Sequence, residues 1–187
     1  MAKYVLASAS PRRKQLLNWA EIDFEVIVPH TDETFPSHMS PEHASIYIAL
    51  EKAKAVKEKI GSDKIIIAAD TIVVLGKKII GKPTDRGDAI TILSQLSGQV
   101  HQVITGVAIM GHNEISFADT TEVEFHPLSP QQIEFYIDKY KPYDKAGAYA
   151  IQEWIGVTGI KRINGDFYNV MGLPVSRVVQ ALKDVIT

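Results

Sequence analysis

The stretch Ile65-Ile66-Ile67-Ala68-Ala69-Asp70-Thr71-Ile72-Val73-Val74-Leu75 decides the fold class. A run so apolar and β-branched reads as a central strand buried on both faces, the habit of sheets covered by helices. Gly76-Lys77-Lys78 reads as a hairpin turn into Ile79-Ile80, so one neighbour of that strand is antiparallel. The interruption at Asp70 and Thr71 is the most informative feature. A buried aspartate is costly unless a metal ion, a cation or hydrogen bonds offset its desolvation. Two readings fit it equally: a carboxylate at a strand end facing a cleft, or a strand-terminal Asp capping local backbone.

Before this stretch, Tyr4–Ala7 reads as a strand, with Ser10 and Pro11 capping and opening a helix through Leu17. Residues 24–28 are β-branched and apolar, and the polar residues 30–39 form an exposed connection. Ser40-Pro41 restarts a helix whose apolar stripe is Ile46, Ala49, Ala53, Val56 and Ile60, ending at Gly61. After it, Thr84 or Asp85 caps a helix through Leu96. Residues 99–110 and 115–125 alternate as two strands around Gly111-His112-Asn113. Ser129-Pro130 opens a helix to about Tyr140, Asn164-Gly165 suggests a type I′ turn between short strands, and Pro174 starts a terminal amphipathic helix. Strands alternating with helices, plus two hairpins, give an α/β fold with a mixed sheet.

The chain has 187 residues, enough for a single domain (residues 1–187) or one core split into two lobes. Its formal net charge of −2 argues against an extended basic surface that grips nucleic acid, and no basic stripe is interleaved with aromatics. With no cysteine, thiol catalysis, disulfides and thiolate metal sites are excluded. No apolar run reaches the length of a signal peptide or membrane span, so a cytoplasmic protein without membrane association is expected.

The segment Ser8-Ala9-Ser10-Pro11-Arg12-Arg13 gathers hydroxyls, helix N-terminal amides and two guanidiniums, which suits anionic oxygen; a capped helix with solvated arginines is the commoner meaning. Lys52 flanks the apolar stripe, and a solvated surface lysine is the leading reading for it and for Lys54, with Glu51 or Glu58 as partners. Gly81-Lys82-Pro83 presents one lysine rigidly, as a cation opposite a polyphosphate or merely as a turn. Glu33 lies in the polar loop, solvated or able to reach a hard cation. Asp144-Lys145-Ala146-Gly147-Ala148-Tyr149 combines charge with small residues that let backbone approach a ligand, and Gln152 offers an amide to a base edge; a tightly packed loop is the plainer meaning. His30, His38, His43, His101, His112 and His126 show no HExxH or clustered spacing, which disfavours zinc catalysis, and no GxxxxGK[ST] loop is present.

Together, Ser8-x-Ser10-Pro11-Arg12-Arg13, Glu33, Glu51-Lys52-Ala53-Lys54, Ala69-Asp70-Thr71, Gly81-Lys82-Pro83, Leu96-Ser97-Gly98 and Asp144 to Gln152, in that order, resemble the Maf family. The resemblance runs from Ser8 to Val170-Met171-Gly172-Leu173-Pro174. It implies a house-cleaning nucleoside triphosphate pyrophosphatase with a fold like the inosine triphosphate pyrophosphatases: an elongated mixed sheet flanked by helices, two lobes and a deep cleft. It further implies Asp70 as proton acceptor, Glu33 and Asp70 as ligands of Mg²⁺ or Mn²⁺, and Arg13, Lys52 and Lys82 as phosphate holders assisted by Ser8. Arg12, Thr71 and Gln152 match the branch acting on dTTP and UTP, while Lys54, Asp144 and Lys145 fall in substrate-binding motifs. A homodimer is suggested by the same analogy. One departure is that Glu153-Trp154 follows Gln152 where members commonly carry glycine. The alternative function is a nucleotide-binding regulator of septum formation without essential turnover.

Overall fold

The computed structural model describes residues 3–61 and 64–186. In chain order its elements are β1 (Tyr4–Ala7), α1 (Pro11–Trp19), β2 (Phe24–Val26), α2 (Pro41–Ile60), β3 (Ile65–Leu75), β4 (Lys78–Ile80), α3 (Arg86–Leu96), β5 (Val100–Met110), β6 (Glu114–Phe125), α4 (Pro130–Tyr140), α5 (Trp154–Gly159), β7 (Ile160–Asn164), α6 (Phe167–Met171) and α7 (Val175–Ile186). Seven strands form one sheet in the order β2-β1-β3-β5-β6-β7, with β4 also paired to β3. The expected mixed sheet is present, because β1 pairs in parallel with β2 and β3 whereas β4 and β7 pair antiparallel.

The chain divides into two compact units. The first takes the sequence up to Thr71, Thr105–Asp119 and everything from Gly172; the second holds Ile72–Ile104 and Thr120–Met171.

In the first unit, strand and helix periodicities interlock. Ile66 and Ala68 of β3, Val5 and Ala7 of β1, and Ala108 and Met110 of β5 face the same way and pack against Ala49, Ala53 and Val56 of α2. Helix α2 follows its sequence signals: Ser40 caps it, Pro41 opens it, and Gly61 closes it with φ of 80°. Its buried side differs by part of a turn from the expected stripe. Ile48 is buried where Ile46 is only half-buried, and Lys52 lies on the buried face rather than beside it. The cause is the contact at Gly106 of β5, whose missing side chain lets α2 seat against the strand. A Cβ there would stand 2.2 Å from the Ser45 carbonyl carbon and 2.3 Å from the Ile46 nitrogen.

In the second unit, α3 is capped by Asp85 and α4 by a full capping box between Ser129 and Gln132. The expected hairpin at Asn164-Gly165 is not formed. Gly165, with φ of 130°, ends β7 and leads into α6, because its backbone lies against Thr121, only 2.8 Å from where a Cβ would meet that hydroxyl. Helices α5 and α6, of six and five residues, escape periodicity because so short a segment shows no repeat.

A buried aromatic group joins β5 to the segment before α5. The His101 ring stacks on Phe125 at 5.5 Å, and its Nε2 lies 2.7 Å from the Tyr149 hydroxyl. Burial lowers the imidazole pKa to about 4 and raises that of the phenol. Between pH 6.5 and 4 the unfolded chain therefore binds a proton that the folded chain refuses. Stability rises with pH across that window and is lost as pH falls through it, by up to about 3 kcal/mol. Urea midpoints for the wild type and His101→Gln should diverge at pH 7 and converge towards pH 4; equal pH slopes would contradict this.

Candidate active site

Asp70 sits sixth in the eleven residues of β3, not at its end, so neither sequence reading of a strand-terminal carboxylate holds. The strand runs unbroken through it. What changes there is the neighbour: β1 pairs with β3 only up to Ala7 opposite Ala68, then turns away into Ser8-Ala9-Ser10. The carboxyl end of β1, flanked by β2 on one side and β3 on the other, is the position in a parallel sheet where ligands commonly bind.

By strand alternation Asp70 continues the face of Ile66 and Ala68, the face that α2 covers. Lys52, about two helical turns beyond the Gly106 contact, meets it there. The Lys52 ammonium lies 2.7 Å from Asp70 Oδ1 and 2.7 Å from Glu33 Oε1. Asp70 is 9% exposed and Lys52 7%, whereas the Glu33 side chain is 46% exposed. A solvated lysine was the leading expectation for Lys52. The structure overturns it, because the helix phase set at Gly106 turns that residue inward and a carboxylate awaits it.

Thr71, the next residue, takes the opposite face with Thr105, the two hydroxyl oxygens 3.0 Å apart. Arg13 of α1 donates from Nη2 to Thr71 Oγ1 at 3.0 Å, from Nη1 to Ser8 Oγ at 3.3 Å and from Nε to the Gly172 carbonyl at 2.7 Å. Three of the five guanidinium N–H groups thus hold the chain itself, leaving two. Burial lowers the Arg13 pKa, opposed chiefly by the negative charge of Asp70. Ser8 is buried and also accepts the Ser10 amide at 3.1 Å, so its own proton is not used in these contacts. Arg12 is half-buried.

Lys54 is not brought to this cluster. Its ammonium pairs with Glu51 at 2.9 Å on an exposed face, and that hydrogen bond raises its pKa. The physical reason is angular: two residues along a helix turn about 200°, so a buried Lys52 puts Lys54 outside.

The other singled-out residues belong to the second unit. The Gly81 carbonyl, next to exposed Lys82, accepts the Gly147 amide at 3.1 Å, which joins the Gly81-Lys82-Pro83 turn to the Asp144–Gln152 segment. Lys145 is buried, with its ammonium 2.8 Å from Asp144 Oδ1 and 3.7 Å from Glu153 Oε1. Gln152 is exposed between buried Ile151 and half-buried Glu153.

The match of this ordered set to known proteins is close. The family model described as Maf-like protein matches residues 3–185. The chain belongs to the Maf family. Among curated Maf relatives, the dTTP/UTP pyrophosphatase of Parabacteroides distasonis is 49% identical, covering 97% of this chain and 95% of its own. That of Cytophaga hutchinsonii is 50% identical over 96% of this chain and 82% of its own. The Maf chain also shares its fold with a HAM1 protein from Coxiella burnetii, at a TM-score of 0.56 and 16% identity over 98% and 100% of the two chains. The Staphylococcus aureus Ham1 protein gives 0.51 at 17% identity over 98% and 99%.

Sequence reasoning passed over Thr105, the Gly172 carbonyl and Tyr136. The strand context Val103-Ile104-Thr105-Gly106 carried a signal, since glycine within a strand marks a close backbone approach. Nothing in the sequence marks a backbone carbonyl as a partner for an arginine 159 residues away.

Proposed function

We propose that this protein hydrolyses nucleoside triphosphates, dTTP and UTP and their modified forms foremost, to the nucleoside monophosphate and pyrophosphate. The observation that carries this reading is the nearly buried Asp70 joined to Glu33 through Lys52, in a chain half identical to dTTP/UTP pyrophosphatases. Water attacks the α phosphorus, its proton passes to Asp70, and the bond from that phosphorus to the bridging oxygen breaks as pyrophosphate leaves. Lys52, 2.7 Å from Asp70 Oδ1, holds that carboxylate in place while opposing phosphate charge. Ser8, Arg13 and the start of α1 offer donors to the phosphate oxygens. Lys82 serves the phosphates and Arg12, Thr71 and Gln152 the selectivity for the base, with Asp144 and Lys145 in support.

Among the described residues no three His, Asp or Glu side chains gather as a metal cage. Two carboxylates are nevertheless a fitting donor set for Mg²⁺ or Mn²⁺, which commonly bind through one or two carboxylates plus substrate phosphates. Such an ion, held by Asp70 and Glu33, would neutralise phosphoryl charge and acidify the attacking water. Among the described residues no helix is long and apolar enough to cross a membrane.

A pyrophosphate-release assay with Mg²⁺ across canonical and modified triphosphates tests the reading. Release is expected with dTTP and UTP well ahead of dATP and GTP, and a narrowed preference in Gln152→Ala. Nucleotide binding without release would favour the regulator instead.

A further inference from the structure

The departure at Glu153 sits at the junction of three contacts in the second unit. Tyr136 of α4, fully buried, donates its hydroxyl to Glu153 Oε2 and accepts the Ala150 amide at 3.1 Å. The other carboxylate oxygen faces the buried Lys145 ammonium at 3.7 Å. Through its backbone, Glu153 donates to the Ala150 carbonyl at 3.1 Å and accepts the Gly156 amide at 2.9 Å, which starts α5. One residue therefore ties α4, the Lys145 turn and the α5 N-terminus together, and Gln152 is its immediate neighbour.

The turn needs such a tie. Gly147 and Ala148 both have positive φ, 74° and 57°, and the alanine is fully buried in a conformation that costs about 1–2 kcal/mol for an L-residue. Lys145 is 8% exposed, while its nearer partner Asp144 has a side chain 60% exposed and gives a solvent-screened pairing. Glu153, with a side chain 23% exposed, is the better shielded of the two carboxylates. With one N–H bonded to Asp144 and the charge drawn towards Glu153 at 3.7 Å, the ammonium keeps donors whose direction these two carboxylates determine. A lysine neutralised in this way makes a poor general clamp for phosphate and a good directional donor for a neutral carbonyl oxygen, such as those on a uracil or thymine ring.

We infer that Glu153 is a positioning residue for base selectivity: it orients the Lys145 ammonium and holds Gln152 outward, so that discrimination between pyrimidine and purine triphosphates depends on a side chain that need not touch the nucleotide. This rests on the pyrophosphatase reading above and adds to it the device that sets its specificity.

The test is steady-state pyrophosphate release from dTTP, UTP, dATP and GTP by the full chain, with melting temperatures recorded alongside. Glu153→Ala is expected to raise KM for dTTP and UTP about tenfold with kcat little changed, the signature of lost binding shared by ground and transition states. Its kcat/KM for the purine nucleotides should change far less, so the preference narrows. Glu153→Gln, which still accepts from Tyr136, should recover part of the preference. Tyr136→Phe, which removes one hydroxyl and little volume, supplies the same comparison if the alanine variant does not fold. A lowered melting temperature with the wild-type preference intact in the alanine and Tyr136→Phe variants would overturn the inference. Absence of release from every triphosphate by the wild type would instead sink the pyrophosphatase reading itself.

Discussion

Asp70→Asn should lower kcat for pyrophosphate release by about 10²- to 10⁴-fold while leaving the fold and nucleotide binding nearly intact. The substitution keeps the shape of the side chain and removes both its basicity and its charge. Lys52 then faces one carboxylate instead of two, and that remaining partner, Glu33, is nearly half exposed. An amide oxygen can still accept the hydrogen bond that Asp70 Oδ1 now takes at 2.7 Å, which is why collapse of the site is not expected. Rate and stability are therefore to be measured separately, by pyrophosphate release under saturating dTTP and by urea denaturation. Near-normal kcat would remove Asp70 from the chemistry and leave its burial beside Lys52 as a structural ion pair.

The second large effect is expected at a residue that carries no side chain. Gly106→Ala places a Cβ against the backbone of Ser45 and Ile46 at 2.2–2.4 Å, and backbone in the middle of a helix cannot swing aside as a side-chain tip does. Helix α2 must shift as a body, at a cost of about 1–3 kcal/mol or more in stability. Lys52 rides on the same helix. A displacement of about 1 Å at its ammonium is enough to cost on the order of 10²-fold in rate. The variant should show a lower urea midpoint together with lower kcat, and both should be partly restored by no substitution at Lys52 itself. Wild-type values of both quantities would mean that α2 is not held to β5 in the way the contact requires.

The two expectations draw on different parts of what the sequence makes legible. The apolar run on either side of Asp70 and Thr71, the Ser-Pro starts of α1, α2 and α4, and the glycine stop of α2 specify their elements locally. Such signals work within a few residues and read directly from the chain. The candidate site was legible as residue types in order, through the resemblance to the Maf family. Its geometry was not. Lys52 read as a surface lysine because a helix stripe can be phased a little differently with the same apolar residues, and only the contact at Gly106 chooses between the phases. Lys54 looked like its companion in sequence and is not one in space.

From the sequence by itself came the alternating order of strands and helices, the central buried strand, the absence of thiol chemistry and the family. Tertiary structure alone decided which oxygen each cation meets: Lys52 between Asp70 and Glu33, Arg13 across Ser8, Thr71 and the Gly172 carbonyl, and Glu153 between Tyr136 and Lys145. The reason is range. Periodicity, caps and turns depend on neighbours a few residues away, whereas a buried charge takes its partner from whatever segment packing delivers, and those partners lie as far as 159 residues along the chain.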